Sequence, residues 1–305
     1  MLSVVDEADS YTSAVRGVTV ETARVGRGIG PNHVLGVPGE HLTVTSARFG
    51  FPMTAGAYVP DDRMLAAYVH ENPAESRWCG VPLREGSVVV YPPGAEHVAV
   101  NQPGLHFTFA ITEPESLMAH ADRLGVPAEL PAGNRLWEIP ASRASELLGK
   151  KLNRLTRAAV ADEPIGRCFE TVLDAFVRAL AGDPPARAHP TGRGLDSRMI
   201  VNRCIEHAGV IARVPTLAEL CTAAHVSDRR VRSAFYEEFD LSPTRFFRSW
   251  ALDLAHRRLR DSGPDECTVA IVAFDLGLHH LGRFALRYKE IYGESPSVTL
   301  REFGG

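Results

Sequence analysis

The apolar period of this chain changes once along its length, and that change restricts the architecture more than any other feature. From Thr19 to Thr112, glycine and proline punctuate short β-rich runs, "HLTVTSARF", "MLAAYVH", "GSVVVY", "HVAV" and "LHFTFAI", which is the pattern of an all-β sandwich or barrel. Beyond that point apolar residues fall at steps of three and four. Leu147, Leu148, Leu152 and Leu155, then Phe169, Val172, Leu173, Phe176, Val177 and Leu180, predict amphipathic helices. The segment "AGDPPARAHPTGRG", Ala181 to Gly194, has proline and glycine but almost no large apolar residue, as an interdomain linker does. From Leu195 onward the pattern is helical, punctuated by Pro215, Pro243, Gly263-Pro264 and Gly293.

A chain of 305 residues with ordinary apolar and charged fractions can bury two cores. The expected fold is therefore α+β and multidomain: a β-barrel over residues 1–112, a helical segment over 113–181 that is placed to dimerise or to pack within the chain, a linker over 182–194, and an all-α domain over 195–305. No run of about 18 uninterrupted apolar residues exists, and Met1 to Ser10 has acids where a secretory leader carries a basic region, so a cytoplasmic protein with no membrane partner is expected. Cys79, Cys168, Cys204, Cys221 and Cys267 are scattered, odd in number and form no CxxC pair, which points to free thiols rather than disulfides or zinc.

Two helix pairs stand out in the last part. In "TLAELCTAAHVSDRRVRSAFYEEF", Thr216 can cap a first helix whose Leu217, Leu220 and Cys221 face inward, and Ala224, His225 and Val226 make a turn. Ser227 then caps a second helix in which Val231, Ala234 and Phe235 repeat at three and four, leaving Arg229, Arg230, Arg232 and Ser233 outside. "TVAIVAFDLGLHHLGRFALRYKEIYG" repeats the arrangement. Thr268 caps, Ile271 and Val272 are apolar, Ala273 is small, Gly277 supplies the positive-φ turn, and Phe284, Tyr288 and Ile291 mark the inner face. Arg283 and Arg287, with His279 and His280, are left for the outside.

Two outward helices on one frame suit DNA. A helix fits the major groove, Arg grips guanine O6 and N7 with two bonds, and other cations hold phosphates. Two such units can read successive groove faces about one turn, roughly 34 Å, apart. The competing reading is an amphipathic helical bundle with a solvated charged face.

Residues Leu217 to Glu302 resemble the DNA-binding domain of the AraC/XylS family of bacterial transcription regulators. The strongest carrier is "HLGRFALRYKEIYGESPSVTLRE", close to that family's G-F-x5-F-x3-F/Y…F/Y-G-x2-P-x3-R ending, and its wording resembles the XylS-like branch. The resemblance implies that Arg229, Arg232 and Ser233 lie on the contacting face of the first recognition helix, and His279, His280, Leu281, Gly282 and Arg283 on that of the second. Arg232 and Arg283 are the expected base readers, with Arg257 and Arg258 as phosphate contacts or solvated charges. The chain departs from the family at His225, where a turn glycine is usual, at Trp250-Ala251 in the connecting helix, and at Leu276 and Leu278. From Leu195 to Gly305 there are 15 Lys plus Arg against 15 Asp plus Glu, so DNA affinity is expected to be modest or to draw on a dimer or on RNA polymerase.

In the N-terminal part, "GSVVVYPPGAEHVAVN" fits G-x5-P-x-G-x2-H-x3-N with Gly86, Pro92, Gly94, His97 and Asn101, and resembles the second conserved motif of cupin barrels. A strand, a Pro/Gly turn and a returning strand give that order of residues. In metal-binding cupins the histidine of this motif is one of four ligands. Here only His70, Glu71 and Glu75 precede Gly86 in the needed region, without the required spacing, so neither a metal site, a catalytic residue nor a cofactor is expected. Regulators of the AraC family commonly carry a cupin-like sensory barrel, and Tyr58, Tyr68, Trp78, Tyr91, His97, His106 and Phe107 are the candidates to face an effector inside it. The reading is a small-molecule-responsive, homodimeric activator of transcription, not an enzyme, with double-stranded promoter DNA and RNA polymerase as partners, associated with the nucleoid when bound. The alternative is a cupin-type metalloenzyme or ligand-binding protein with a helical interaction module.

Overall fold

The computed structural model describes residues 2–5, 18–28, 30–133, 135–182, 186–188, 194–264 and 266–303. Two compact units emerge. One comprises Met1–Thr22, Gly30–Gly50 and Ala55–Gly192, and the other Ala23–Ile29, Phe51–Thr54 and Arg193–Gly305.

Two sheets build the β part. An eight-stranded sheet runs in the order β1 (Leu2–Val5), β3 (Asn32–Val37), β4 (Leu42–Arg48), β11 (His106–Thr112), β6 (Met64–Glu71), β9 (Val88–Tyr91), β12 (Trp137–Ile139) and β13 (Arg187–Ala188). A five-stranded sheet runs β2 (Thr19–Arg24), β5 (Met53–Tyr58), β10 (Glu96–Asn101), β7 (Arg77–Trp78) and β8 (Val81–Pro82). Strands β4, β6, β9, β10 and β11 coincide with the five quoted runs to within two residues at most ends. Gly94 (φ +71°) turns the chain between β9 and β10, and a Cβ there would come within 2.9 Å of the Asp61 carboxylate, so the Pro/Gly turn of the cupin-like motif has a steric reason.

Strand alternation gives the larger sheet two different faces. Val44 pairs with Ala110, Ala66 with Ala110 and Val90 with Ala66, and these side chains share the core with Leu35, Val37, Leu42, Met64 and Val88. Helices cover this face: α1 (Pro114–Leu124), α2 (Arg143–Val160) and α3 (Gly166–Leu180). From them Leu117, Leu148, Leu152, Leu155, Val172, Phe176 and Val177 complete the same core. Each such side chain withdrawn from water contributes on the order of 1.5–3 kcal/mol. Helix α2 is started by a capping box in which Ser142 and Ser145 serve each other's backbone amides.

Several expectations change here. The helices over 113–181, placed either to dimerise or to pack within the chain, contribute their apolar stripes to the sheet's core. Leu147, placed on the apolar stripe by its spacing, is 37% exposed. The segment over 113–181, expected to be helical, also contains the short strand β12, and Arg187 and Ala188 of the expected linker pair with it as an edge strand. Residues 183–185 and 189–193 of that linker lie outside the described residues.

The second unit contains seven helices among its described residues: α4 (Gly194–Ile211), α5 (Leu217–Ala224), α6 (Asp228–Phe239), α7 (Pro243–Asp261), α8 (Val269–Asp275), α9 (Leu281–Tyr292) and α10 (Pro296–Phe303). No helix of the described residues is long and apolar enough to cross a membrane.

Two stability predictions follow from this packing. A Cβ on Gly149 would overlap the ring of Tyr68, where α2 crosses the sheet. Gly149→Ala should therefore cost about 1–3 kcal/mol in urea unfolding, and an unchanged midpoint would mean that the Tyr68 ring yields freely. On α6, Glu238 is 2% exposed, and burial lifts its carboxyl to about 7 despite the nearby Arg198 guanidinium. Its folded-state value lies above the ordinary one, so the folded protein holds the extra proton and loses stability as pH rises from about 4.5 to 7. Glu238→Gln should remove that loss, raising stability by roughly 2–3 kcal/mol at pH 8 and by little at pH 4 in paired denaturant titrations.

Candidate nucleic-acid interface

The first helix pair is α5 and α6. Thr216 caps α5 in a reciprocal box with Glu219, and Arg213 holds Glu219 through bonds of 2.6 and 3.2 Å. The Arg213 guanidinium, followed by the Thr216 amide, draws the Glu219 carboxyl down to about 2. At the turn His225 takes the left-handed conformation (φ 55°), and its amide reaches back to Cys221 and Thr222. Histidine replaces glycine there at modest cost because the position is exposed and the turn needs no close approach. Ser227 caps α6 through the Arg230 amide.

Behind α6 a ring cluster fixes the crossing of α6 on α7. Phe235 meets Phe246 at 5.3 Å and Phe247 at 5.5 Å between centroids, and Phe239 stacks on Phe246 at 4.5 Å. With Val231, Ala234 and Phe235 buried, Arg229, Arg232 and Tyr236 are left on the exposed face. Arg229 makes no ion pair among the described residues, and Arg232 leans on Asp228 one turn back at 2.5 Å. Two expected contacts are placed otherwise. Arg230 turns away to Ser197 of α4 (2.9 Å) and to Glu237 (3.4 Å), and Ser233 donates to Glu237 at 2.8 Å. Both brace α6 rather than face outward.

The second pair, α8 and α9, repeats the form. Thr268 caps α8, Gly277 (φ +76°) makes the turn, and Phe284, Tyr288 and Ile291 are buried. A buried hydrogen-bond chain locks α9: Tyr288 Oη donates to Thr299 Oγ1 (2.8 Å) and lies 2.6 Å from His256 Nδ1, which must then be the donor to it. The His256 ring stacks on Tyr292 at 3.9 Å, and burial holds its pKa down to about 4, so it is neutral at physiological pH. His279, His280, Leu281, Gly282 and Arg283 are all exposed. Arg283 makes no ion pair among the described residues, whereas Arg287 pairs with Glu290 at 2.8 Å.

The sequence reading missed a groove of about 570 Å³ beside α9, into which α7 brings Arg245 and Arg248 next to Arg283 and Arg287. Their spacing of three on the first turn of α7 could have shown them on one face. Tyr236 and Leu286, exposed at 54% and 63%, were also missed, although each lies one turn from an Arg already singled out. Arg257, expected as a phosphate contact or solvated charge, is instead partly buried and paired with Asp253 at 3.5 Å. Arg258 reaches Asp275 at 4.0 Å.

The effector candidates separate into two groups. Trp78, Tyr91, His97 and Phe107 do point between the two sheets, with Trp78 edge-on to Phe107 (4.9 Å) and to His97 (5.0 Å). His97 Nδ1 lies 2.6 Å from Tyr91 Oη, and Trp78 donates to Asn101 at 2.9 Å. The cavity they line among the described residues is about 40 Å³, against roughly 300–1,000 Å³ in a usual ligand pocket. Tyr58, Tyr68 and His106 do not face that interior: Tyr58 is exposed and bonded to Asp61, Tyr68 lies under α2, and His106 opens on the helix-covered side. Strand parity is the reason, since His106 and Tyr68 alternate with the inward Phe107 and Leu65, Val69 set. Among the described residues no group of three or more His, Cys, Asp or Glu could hold a metal ion.

A family model described as a helix-turn-helix domain matches residues 220–302. The chain is 34% identical over 86 residues to the XylDLEGF operon transcriptional activator 1 of Pseudomonas putida, covering 28% of this chain and 26% of that protein. It is 27% identical over 143 residues to the "Probable thc operon regulatory protein" of Rhodococcus erythropolis, covering 47% and 42% respectively. The solved structure of the AraC-like transcriptional activator CuxR aligns over 77% of this chain and 88% of its own with a TM-score of 0.41 and 14% identity. The aligned part thus spans about a quarter of the Pseudomonas activator and under half of the Rhodococcus protein. Residues 220–302 of this chain thus match a helix-turn-helix domain, and the sequence similarity to these transcription regulators lies over this part of the chain.

Tyr288→Phe deletes the hydroxyl that both His256 and Thr299 use, and should cost about 1–3 kcal/mol in thermal or urea unfolding. Amide exchange should speed up in α9 with α6 unaffected, and a neutral substitution would show that water replaces the hydroxyl.

Proposed function

We propose that this protein is a sequence-specific, DNA-binding regulator of transcription, acting in the cytoplasm as a homodimeric activator that responds to a small molecule and works beside RNA polymerase. The observation that carries the reading is the pair of like helices, α6 and α9, that present Arg229, Arg232 and Arg283 outward while their other faces are fixed by buried rings. Arg229 and Arg283 spend no charge on an ion pair among the described residues, and Arg232 exchanges an exposed partner for DNA at little cost. Arg245 and Arg248 bring cations beside α9, so positive charge is gathered at this groove although the domain as a whole is balanced. The activator sense rests on the names of the Pseudomonas relatives, and no catalytic role is ascribed to any residue.

Selection of short duplexes from a random pool, at a stated near-physiological salt, tests this directly. The expected product is a motif with two boxes about one helical turn apart. On the selected site Arg232→Ala and Arg283→Ala should each cost about 1–3 kcal/mol and relax one base preference. Arg248→Ala should weaken all sequences alike and reduce the salt slope by about 0.9. Loss of affinity without loss of preference in the first two variants would make them phosphate contacts, and failure to enrich any motif would overturn the reading.

A further inference from the structure

A cleft of about 780 Å³ opens on the helix-covered side of the first unit, between α2 and the end of the sheet formed by β3, β4 and β11. Its helical wall presents Lys150, Arg154 and Arg157, at positions i, i+4 and i+7 of α2, so the three cations lie along one face over about 10 Å. Neither Arg154 nor Arg157 has an ion-pair partner among the described residues, and Lys150 has only a distant one in Glu146 at 3.8 Å. Leu35 and Val160 add apolar surface, and Glu163 is the one acid among the lining residues.

The strand wall shows a second, independent feature. A bulge between His106 and Phe107 sets Glu71 opposite His106 and Val69 opposite Phe107, so that His70 and Glu71 both come to the helix side. There Glu71 takes two bonds from Arg48 (2.8 and 2.9 Å), and the other face of Arg48 lies 3.1 Å from His106 Nδ1. Guanidinium only donates, so Nδ1 accepts and the ring proton of His106 is on Nε2, 3.3 Å from Ser46 Oγ. Thr108 also donates to Ser46 Oγ at 3.0 Å, and is itself served by His70 Nε2 at 3.0 Å. Burial holds both imidazoles down to about 4, which keeps them neutral and in these roles. Ser46 therefore accepts twice, and its own proton has no acceptor among the described residues. It lines the cleft, facing the cations of α2.

We infer that this cleft binds a small organic polyanion, gripped by Arg154 and Arg157 with Lys150 at one end and by the hydroxyl proton of Ser46 from the opposite wall. The chemistry recognised is a phosphate or carboxylate group, since both offer the oxygen acceptors that a guanidinium pair and a hydroxyl donor require. As a place for the effector it rests on the regulator reading. The binding itself does not.

Isothermal titration of the full chain with pyrophosphate and, separately, with citrate, at an ionic strength of about 0.15 M, tests the site and distinguishes its two anion classes. One saturable site is expected for at least one probe. Arg154→Gln/Arg157→Gln should weaken it about a hundredfold and Ser46→Ala about tenfold, while Arg143→Gln, at the far end of α2, leaves it unchanged. Circular dichroism and binding of the double variant to the selected duplex should both be those of the parent without anion. Absence of saturable binding by either probe overturns the inference. So does an equal loss in Arg143→Gln, which would reveal only a diffuse positive field, and so does a double variant that keeps anion binding but changes oligomeric state. Saturable anion binding by a protein that enriches no duplex would sink the regulator reading and leave the site standing.

Discussion

The alternation of side chains on β6 and β11 is the constraint on which the first unit depends, because it forces one sheet to be buried on both faces. Inward, Phe107 and Phe109 meet Trp78, Tyr91 and His97 and close the space between the sheets. Outward, Ala66, Ala110, Val44 and Val90 form a flat apolar floor on which Leu148, Leu152 and Leu155 lie. Small residues on that floor bring the helices close, and Gly149 lets α2 cross directly over Tyr68. A slip of one residue would exchange the two sets and expose both cores. The bulge at His70 is the point where the floor ends and polar side chains take over, which is why a charged cleft begins there.

In the second unit the corresponding constraint is the set of rings behind each outward helix. Phe235, Phe239, Phe246 and Phe247 fix α6, and Phe284, Tyr288, Tyr292 and His256 fix α9. The two clusters differ in kind. The first is wholly apolar, whereas the second contains a buried hydrogen-bond chain through His256, Tyr288 and Thr299, and such chains fix geometry. Helices braced in this way lose little backbone freedom when they meet a partner, so the ordering cost falls on the exposed arginine side chains alone.

Much of this was legible along the chain. Five strands, the main helices, both helix pairs, their caps at Thr216, Ser227 and Thr268, and the left-handed turn at His225 all follow from local spacing and local hydrogen bonding. The outward positions of Arg229, Arg232 and Arg283 follow as well, because a helix with a buried stripe has one opposite face. Arg230 was misplaced because it lies at the edge of that face, where only the arrival of Ser197 from α4 decides which way the side chain turns. Arg257 was misplaced for the same reason, with Asp253 one turn back as the deciding partner.

The effector candidates show where the sequence stops. Trp78, Tyr91 and His97 are aromatic and inward as expected, but whether inward aromatics line a pocket or fill it depends on the distance between two sheets, and that is set by all their side chains at once. The sequence by itself determined the element types of the main strands and helices and the outward face of α6 and α9, because those depend on periods of two and three to four within short stretches. Only the tertiary structure decided how little space the described side chains leave at Trp78, Tyr91 and His97, that α2 shares the sheet's core, and that Lys150, Arg154 and Arg157 line one cleft with Ser46 more than a hundred residues away. Contacts between elements that distant in sequence leave no periodic trace in either one.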